Sequence, residues 1–295
     1  ICTWQSLGNM LKKTKIDEAE VPIGEFLEGV VCVMVDEVHM AKADVVKKEE
    51  SQLPALSLDL MEGDAHSGLE NISQDDLATP RLKVLMQLSP ELEDLEGAKA
   101  GMIFNTVTND LYDGSNGIRV LPCAYQRQYV EWADRGQGSG APINVYDASS
   151  DILTKTTRDE NNKDRLENGN YIETCGNHYI LLVGENGDAT PALLTMKATQ
   201  LKKSRKWNSM LLNLKLTGKN GLFTPPSYSH YYRLKTMKEG NDKGNWYGWE
   251  ISRESQLEDA NLYNVAKAFA ESVNKGEVKV KYEEESSTGE QKVPF

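Results

Sequence analysis

Apolar and polar positions alternate with period two through much of 101–199, and turn signals punctuate the alternation at Asp113-Gly114, Asn116-Gly117 and Asn186-Gly187-Asp188. This is the pattern of half-buried strands, clearest over 118–132, 178–183 and 192–198. Helical spacing takes over at 199–216. There Trp207, Met210, Leu211 and Leu214 fall at i, i+3, i+4 and i+7, while Lys202, Arg205 and Lys206 occupy the opposite side. A second helix is expected over 255–274, with Ser255 as N-cap, Leu262, Val265, Ala266 and Phe269 on one face, and Gly276 beyond its end. Between the helices, 228–238 and 246–252 read as the two arms of a hairpin. Ser73 can cap a short helix before Pro80, after which Leu82, Leu85, Met86 and Leu88 continue an apolar stripe. Segments 136–142 and 158–170 lack periodicity and read as long, polar, mobile loops.

These elements predict an α+β fold: an OB-like β-barrel or bent antiparallel sheet with flanking helices and a disordered acidic C-terminal tail. Four segments follow from the composition: 1–46, a mixed acidic, Ser- and Pro-bearing linker over 47–72, a domain over 73–282, and the tail 283–295. No apolar run approaches the roughly 20 residues of a bilayer span, so no membrane partner is expected. The start at Ile1 carries no signal-peptide pattern, and four scattered cysteines suit reduced thiols. A cytoplasmic setting is therefore expected.

Charge changes the picture. The chain carries a net charge of −12, yet residues 189–238 hold ten Lys and Arg and no Asp or Glu, which leaves −22 on the remainder. Local field rather than net charge attracts a polyanion, so this block reads as a phosphate-binding face. Its candidate contacts are Lys202, Lys203, Arg205, Lys206, Lys215 and Lys219. In the hairpin, alternation puts Tyr231, Arg233 and Lys235 on one side, opposite Tyr232 and Leu234, with Trp246 joining the first set from the partner arm. Arg119, Tyr125, Arg127 and Tyr129 repeat the pattern within 118–132. Cations beside exposed rings suit an unpaired strand, whose phosphates demand charge and whose bases offer flat faces. Plainer readings stand beside this one: Trp207, Tyr247 and Trp249 as core, Tyr231 and Trp246 as a cross-strand pair, the lysines as a solvated face.

Enzymatic signals are poor. Cys175 and His178 have a ligand-like spacing with no second pair to complete a tetrahedral site, and Glu277-Val278-Lys279 matches an acid-x-Lys pattern that an alternating strand also produces. No metal, cofactor or catalytic residue is expected.

Three resemblances bear on function. The apolar run 30–35 leading into Asp36-Glu37-Val38-His39 resembles the DEVH box of phage superfamily-2 helicases, which implies Mg²⁺ at Asp36 and water activation at Glu37. No Gly-rich loop ending in Gly-Lys-Ser/Thr accompanies it, so ATP hydrolysis is not expected. Residues 1–46 then read as a helicase fragment joined by a gene rearrangement or a sequence-assembly error. The acidic, Ser-rich end closing in Val293-Pro294-Phe295 resembles the tip of bacterial single-stranded DNA-binding proteins, which implies docking of replication or recombination partners. The body, through blocks such as 79–83, 199–208 and 216–221, resembles tailed-phage proteins described as single-stranded DNA-binding. Together these imply a non-catalytic binder of single-stranded DNA, with self-association left open. The alternatives are a phage structural or assembly protein with a basic protein-binding surface, and a DNA-processing nuclease.

Overall fold

The computed structural model describes residues 58–72, 76–134, 136–241, 244–278 and 280. The DEVH segment, Ser73 and Val293-Pro294-Phe295 lie outside them. The chain divides into two compact units, Ile1–Asn71 and Ile72–Phe295. In the first, the described element is helix α1 (Leu58–Gly63).

The second unit is α+β and is built on a curled antiparallel sheet, a half-barrel in form. Its backbone is β4 (Ile118–Trp132) paired from Arg119 to Trp132 with β8 (Tyr171–Val183). The order runs β13 (Gly244–Gln256), β12 (His230–Asn241), β4, β8, β7 (Asp164–Arg165), β6 (Thr157–Arg158). To these β5 (Asn144–Asp147) adds on β4 and β9 (Ala189–Lys197) adds on β8. A small sheet of β1 (Leu82–Val84), β2 (Ile103–Asn105) and β3 (Leu111–Tyr112) lies beside it, joined through the Arg81–Leu193 bridge. The short helix α2 (Glu91–Asp94) connects β1 to β2. A separate hairpin, β10 (Leu216–Gly218) and β11 (Gly221–Phe223), pairs with no other strand among the described residues.

Each sheet face is covered by one helix. Helix α3 (Leu201–Asn213) delivers Trp207, fully buried, onto Ile118, Val120, Ile180, Leu194, Met196, Tyr232, Leu234 and Trp249. Burying an indole of this size outweighs the polar remainder of the helix. Helix α4 (Ala260–Asn274) covers the opposite face, where Leu262, Ala266 and Ala270 meet Leu121, Cys123 and Leu181.

Several expectations need correction. The first helix starts at Leu201, after a 3-10 turn at Ala198–Gln200, and ends at Asn213, because the chain turns into β10 at Leu216. Ser255 is not an N-cap: β13 runs on to Gln256, and the Asp259 carboxylate caps α4 by accepting from the Asn261 and Leu262 N–H groups. Val265 is exposed, and the buried stripe continues instead through Ala270 and Val273. Segment 158–170 is not a structureless loop. It folds as the β6–β7 hairpin, with Arg165 held by Asp134 and Asp159 at 2.9 and 2.6 Å.

The largest departure from simple alternation lies inside β4. Pro122 pairs with Ile180 and Ala124 with Tyr179, so Cys123 is an extra residue, a β-bulge. Proline, which has no N–H to give a ladder, is tolerated in a central strand at such a place. The carbonyl freed there accepts from the Ser227 hydroxyl at 3.1 Å. Beyond the bulge, the faces on which odd and even positions lie are exchanged.

Candidate nucleic-acid interface

The bulge sorts the predicted contacts into two groups. Arg119, ahead of it, shares the α4 face with Leu121 and Tyr231. Tyr125, Arg127 and Tyr129, beyond it, lie on the α3 face, because Tyr125 pairs with His178 and Tyr129 packs on Ile172. The single row expected along 118–132 is therefore divided between opposite sides of the sheet.

On the α4 face the cations are neutralised within the fold. Arg119 and Arg233 are cross-strand partners, and both guanidiniums bond Glu254, at 2.9 and 2.6 Å. Burial alone would push the Glu254 carboxyl upward, but hydrogen bonds and charge from Arg233 and Arg119 hold it below the usual carboxylate range. The Arg119 guanidinium stacks 4.1 Å from the Tyr231 ring centroid, and Tyr231 itself is half-buried against the α4 core. Lys235 faces Glu250 across the hairpin. Trp246 donates its indole N–H to Glu239 at 3.0 Å. Tyr231, Arg233 and Lys235 do share a face, but acids of β13 accompany them there, beyond the end of the acid-free block.

Lys203 also serves the fold. Its ammonium pairs with Glu239 and donates to the Trp249 carbonyl at 2.8 Å, while Gln200 accepts from the Trp249 N–H at 3.0 Å. Burial works against the charge on Glu239, yet the bonds from Lys203 and Trp246 keep its carboxyl below the ordinary range.

What remains open to solvent is concentrated on α3. Lys202, Arg205 and Lys206 are exposed and make no ion pair among the described residues. At the other end of the helix, Lys215 bonds the Leu212 carbonyl at 3.4 Å and the Thr224 hydroxyl, where a cation meets the last carbonyls of a helix favourably. Lys219 is exposed at the β10–β11 turn.

An exposed ring adjoins this helix. Tyr125 is 39% exposed, with its ring centroid 4.9 Å from that of His178, and His178 stacks in turn on Trp207 at 4.5 Å. The His178 Nε2 and the Ser204 hydroxyl are 2.8 Å apart, fixing α3 to the sheet. Gly176, the cross-strand partner of Arg127, makes this approach possible: a Cβ there would stand 2.7 Å from the Ser204 Oγ and 3.4 Å from the Tyr125 ring. Tyr125 and the exposed Arg127 thus lie beside α3, where Ser204 packs directly on the Gly176 backbone. Tyr129 is buried, with the Arg127 guanidinium 5.7 Å from its ring.

Burial drives the His178 pKa down to about 3, so the imidazole is neutral, and it is enclosed. Cys175 lies on the opposite face of β8 from His178, since three positions along a strand reverse the side. The two cannot ligate one ion. Among the described residues no cluster of His, Cys, Asp and Glu could hold a metal, and no helix is long and apolar enough to cross a membrane.

A family model described as Pam3 phage gp34-like protein matches residues 47–279. No curated protein and no solved structure matches the chain.

Proposed function

The chain belongs to the Pam3 phage gp34-like family, and we propose that it binds single-stranded DNA in phage replication or recombination, without catalysis. The observation that carries this reading is that α3, whose exposed Lys202, Arg205 and Lys206 make no ion pair among the described residues, packs at Gly176 beside the exposed Tyr125 and Arg127. Phosphates would meet the helix, and a base would meet the tyrosine ring. Such contacts address features common to every nucleotide, so little sequence preference follows. A single strand suits the site better than a duplex, because stacking requires an unpaired base face.

The acidic end, with Val293-Pro294-Phe295, supplies the partner-docking segment in this proposal. As a tethered anion it also competes with DNA for the cationic helix.

The test is a salt titration of labelled oligo(dT) with the full chain. Affinity should fall with a log–log slope of order −3, at about 0.7 per neutralised phosphate. Replacing Lys202, Arg205 and Lys206 together by Ala should reduce the slope by about 2. Absence of binding at about 50 mM salt, or a slope that the triple variant leaves unchanged, would overturn the proposal.

A further inference from the structure

The β10–β11 hairpin has an apolar surface that the described residues leave exposed. Among the described residues it pairs with no other strand, and isolated two-stranded ribbons gain little stability from themselves. Yet it holds Leu222 at 75% and Phe223 at 46% exposure, directly after a helix whose last turn exposes Leu212 at 69%. The Phe223 ring rests against Gly218: a Cβ added there would stand 3.1 Å from the ring Cε1. Glycine on the facing strand thus supports one part of the ring, while nearly half of the side chain stays open to solvent.

The surroundings of that ring are cationic. Lys215, at the base of the hairpin, bonds Thr224, the residue after Phe223, and the Leu212 carbonyl of α3. Lys219 and Asn220 form the two-residue tip between Gly218 and Gly221. Residues 189–238, which include the whole arm, contain no acid. The arm 214–226 therefore carries Lys215 and Lys219 as its charged residues, next to the exposed Leu222 and Phe223. It is well suited to a ligand that combines negative charge with flat apolar faces.

We propose that Phe223 is a base-stacking platform for single-stranded nucleic acid, with Lys215 and Lys219 holding the adjoining phosphates. The arm then extends the α3 face by a second aromatic contact after Tyr125. This rests on the reading of α3 as a strand-binding surface, and it assigns to that surface a residue that alternation did not select.

The experiment compares Phe223→Leu and Phe223→Tyr with the full-length wild type, using oligo(dT) affinity against salt and an oligonucleotide carrying 2-aminopurine as a stacking reporter. Leucine keeps apolar bulk and loses the aromatic face, whereas tyrosine keeps the face. Phe223→Leu should weaken binding roughly 5- to 100-fold with an unchanged salt slope, because stacking releases no counterions. It should also reduce quenching of 2-aminopurine, and Phe223→Tyr should behave as wild type. If Phe223→Leu binds and quenches as wild type does, the platform is refuted while the α3 reading stands. If Phe223→Leu instead preserves self-association that Phe223→Ala abolishes, with DNA affinity unaltered, the arm is a protein contact and the proposal fails. If wild type binds no oligonucleotide, both readings fall together. Phe223 lies outside the core clusters, so thermal unfolding of the three proteins should coincide.

Discussion

Lys203 donates its ammonium to the main-chain oxygen of Trp249 at 2.8 Å, forty-six positions away in sequence. Among the described residues β13 pairs with β12 alone, so Trp249 lies on a sheet edge. Together with Gln200, Lys203 satisfies that edge as a neighbouring strand would, and blocks it against pairing with another chain.

Lys203→Met should therefore lower unfolding free energy by about 1–3 kcal/mol, since it leaves the Trp249 carbonyl and the Glu239 carboxylate short of a donor. Lys206→Met, at an exposed position without an ion pair among the described residues, should change it by less than about 0.5 kcal/mol. Urea unfolding followed by circular dichroism measures both. Equal effects would mean that the edge contact contributes nothing.

The two tyrosines should separate stability from binding. Tyr125→Ala should weaken oligo(dT) binding by about 1–3 kcal/mol with a smaller loss of fold, because its side chain is 39% exposed and lies outside the core clusters. Tyr231→Ala should do the reverse, since that ring supports the Arg119 guanidinium and the α4 core. Paired titrations and melts would contradict this if the phenotypes were exchanged.

His178 sets a pH dependence. Burial depresses its pKa from 6.5 to about 3, so the unfolded chain takes up a proton over a range where the folded chain stays neutral. This contribution to stability is complete above pH 6.5 and declines as pH falls toward about 3. The slope should reach roughly 1.4 kcal/mol per pH unit. Unfolding at stepped pH should show that slope between these values, and His178→Gln should remove it.

Glu131 acts lower on the pH scale. It is buried, at 3% exposure, and accepts from Tyr146, Asn144, Asn170 and Asn168. Burial pushes its carboxyl upward, but these four donors prevail and bring it from 4.5 to about 2. The stabilisation is present above the unfolded value and is lost as pH falls through the folded one. Glu131→Gln should cost roughly 3 kcal/mol at neutral pH, with the difference from wild type shrinking as pH falls from about 4.5 toward about 2. A constant difference across that range would refute the assignment.

Much of the architecture is legible in the order of residues. The stripe containing Trp207 marks α3, and its opposite side holds the three cations that stay in solvent. Trp249 and Trp207 read as core from their spacing, and both are buried. What spacing could not convey is pairing over distance: Arg119 and Glu254 are 135 positions apart, and nothing local shows that one carboxylate serves two guanidiniums. Lys203 and Lys202 are equivalent in any count of charge, yet only Lys203 reaches the edge of β13. Phe223 escapes any reading by alternation, because a three-residue strand is too short to display a period.

The bulge at Cys123 acts on β4 as a single inserted letter acts on a reading frame: everything downstream keeps its order and changes its meaning. Gln126, which strict alternation would have sent to the α3 side, bonds Tyr179 and the end of α4 instead. Deleting Cys123 would restore the original phase. Tyr125, Arg127 and Tyr129 would then move as a block to the α4 side, and the glutamines would take their places against α3. A family member lacking this one residue would carry the same letters on the wrong surface, whatever its overall likeness.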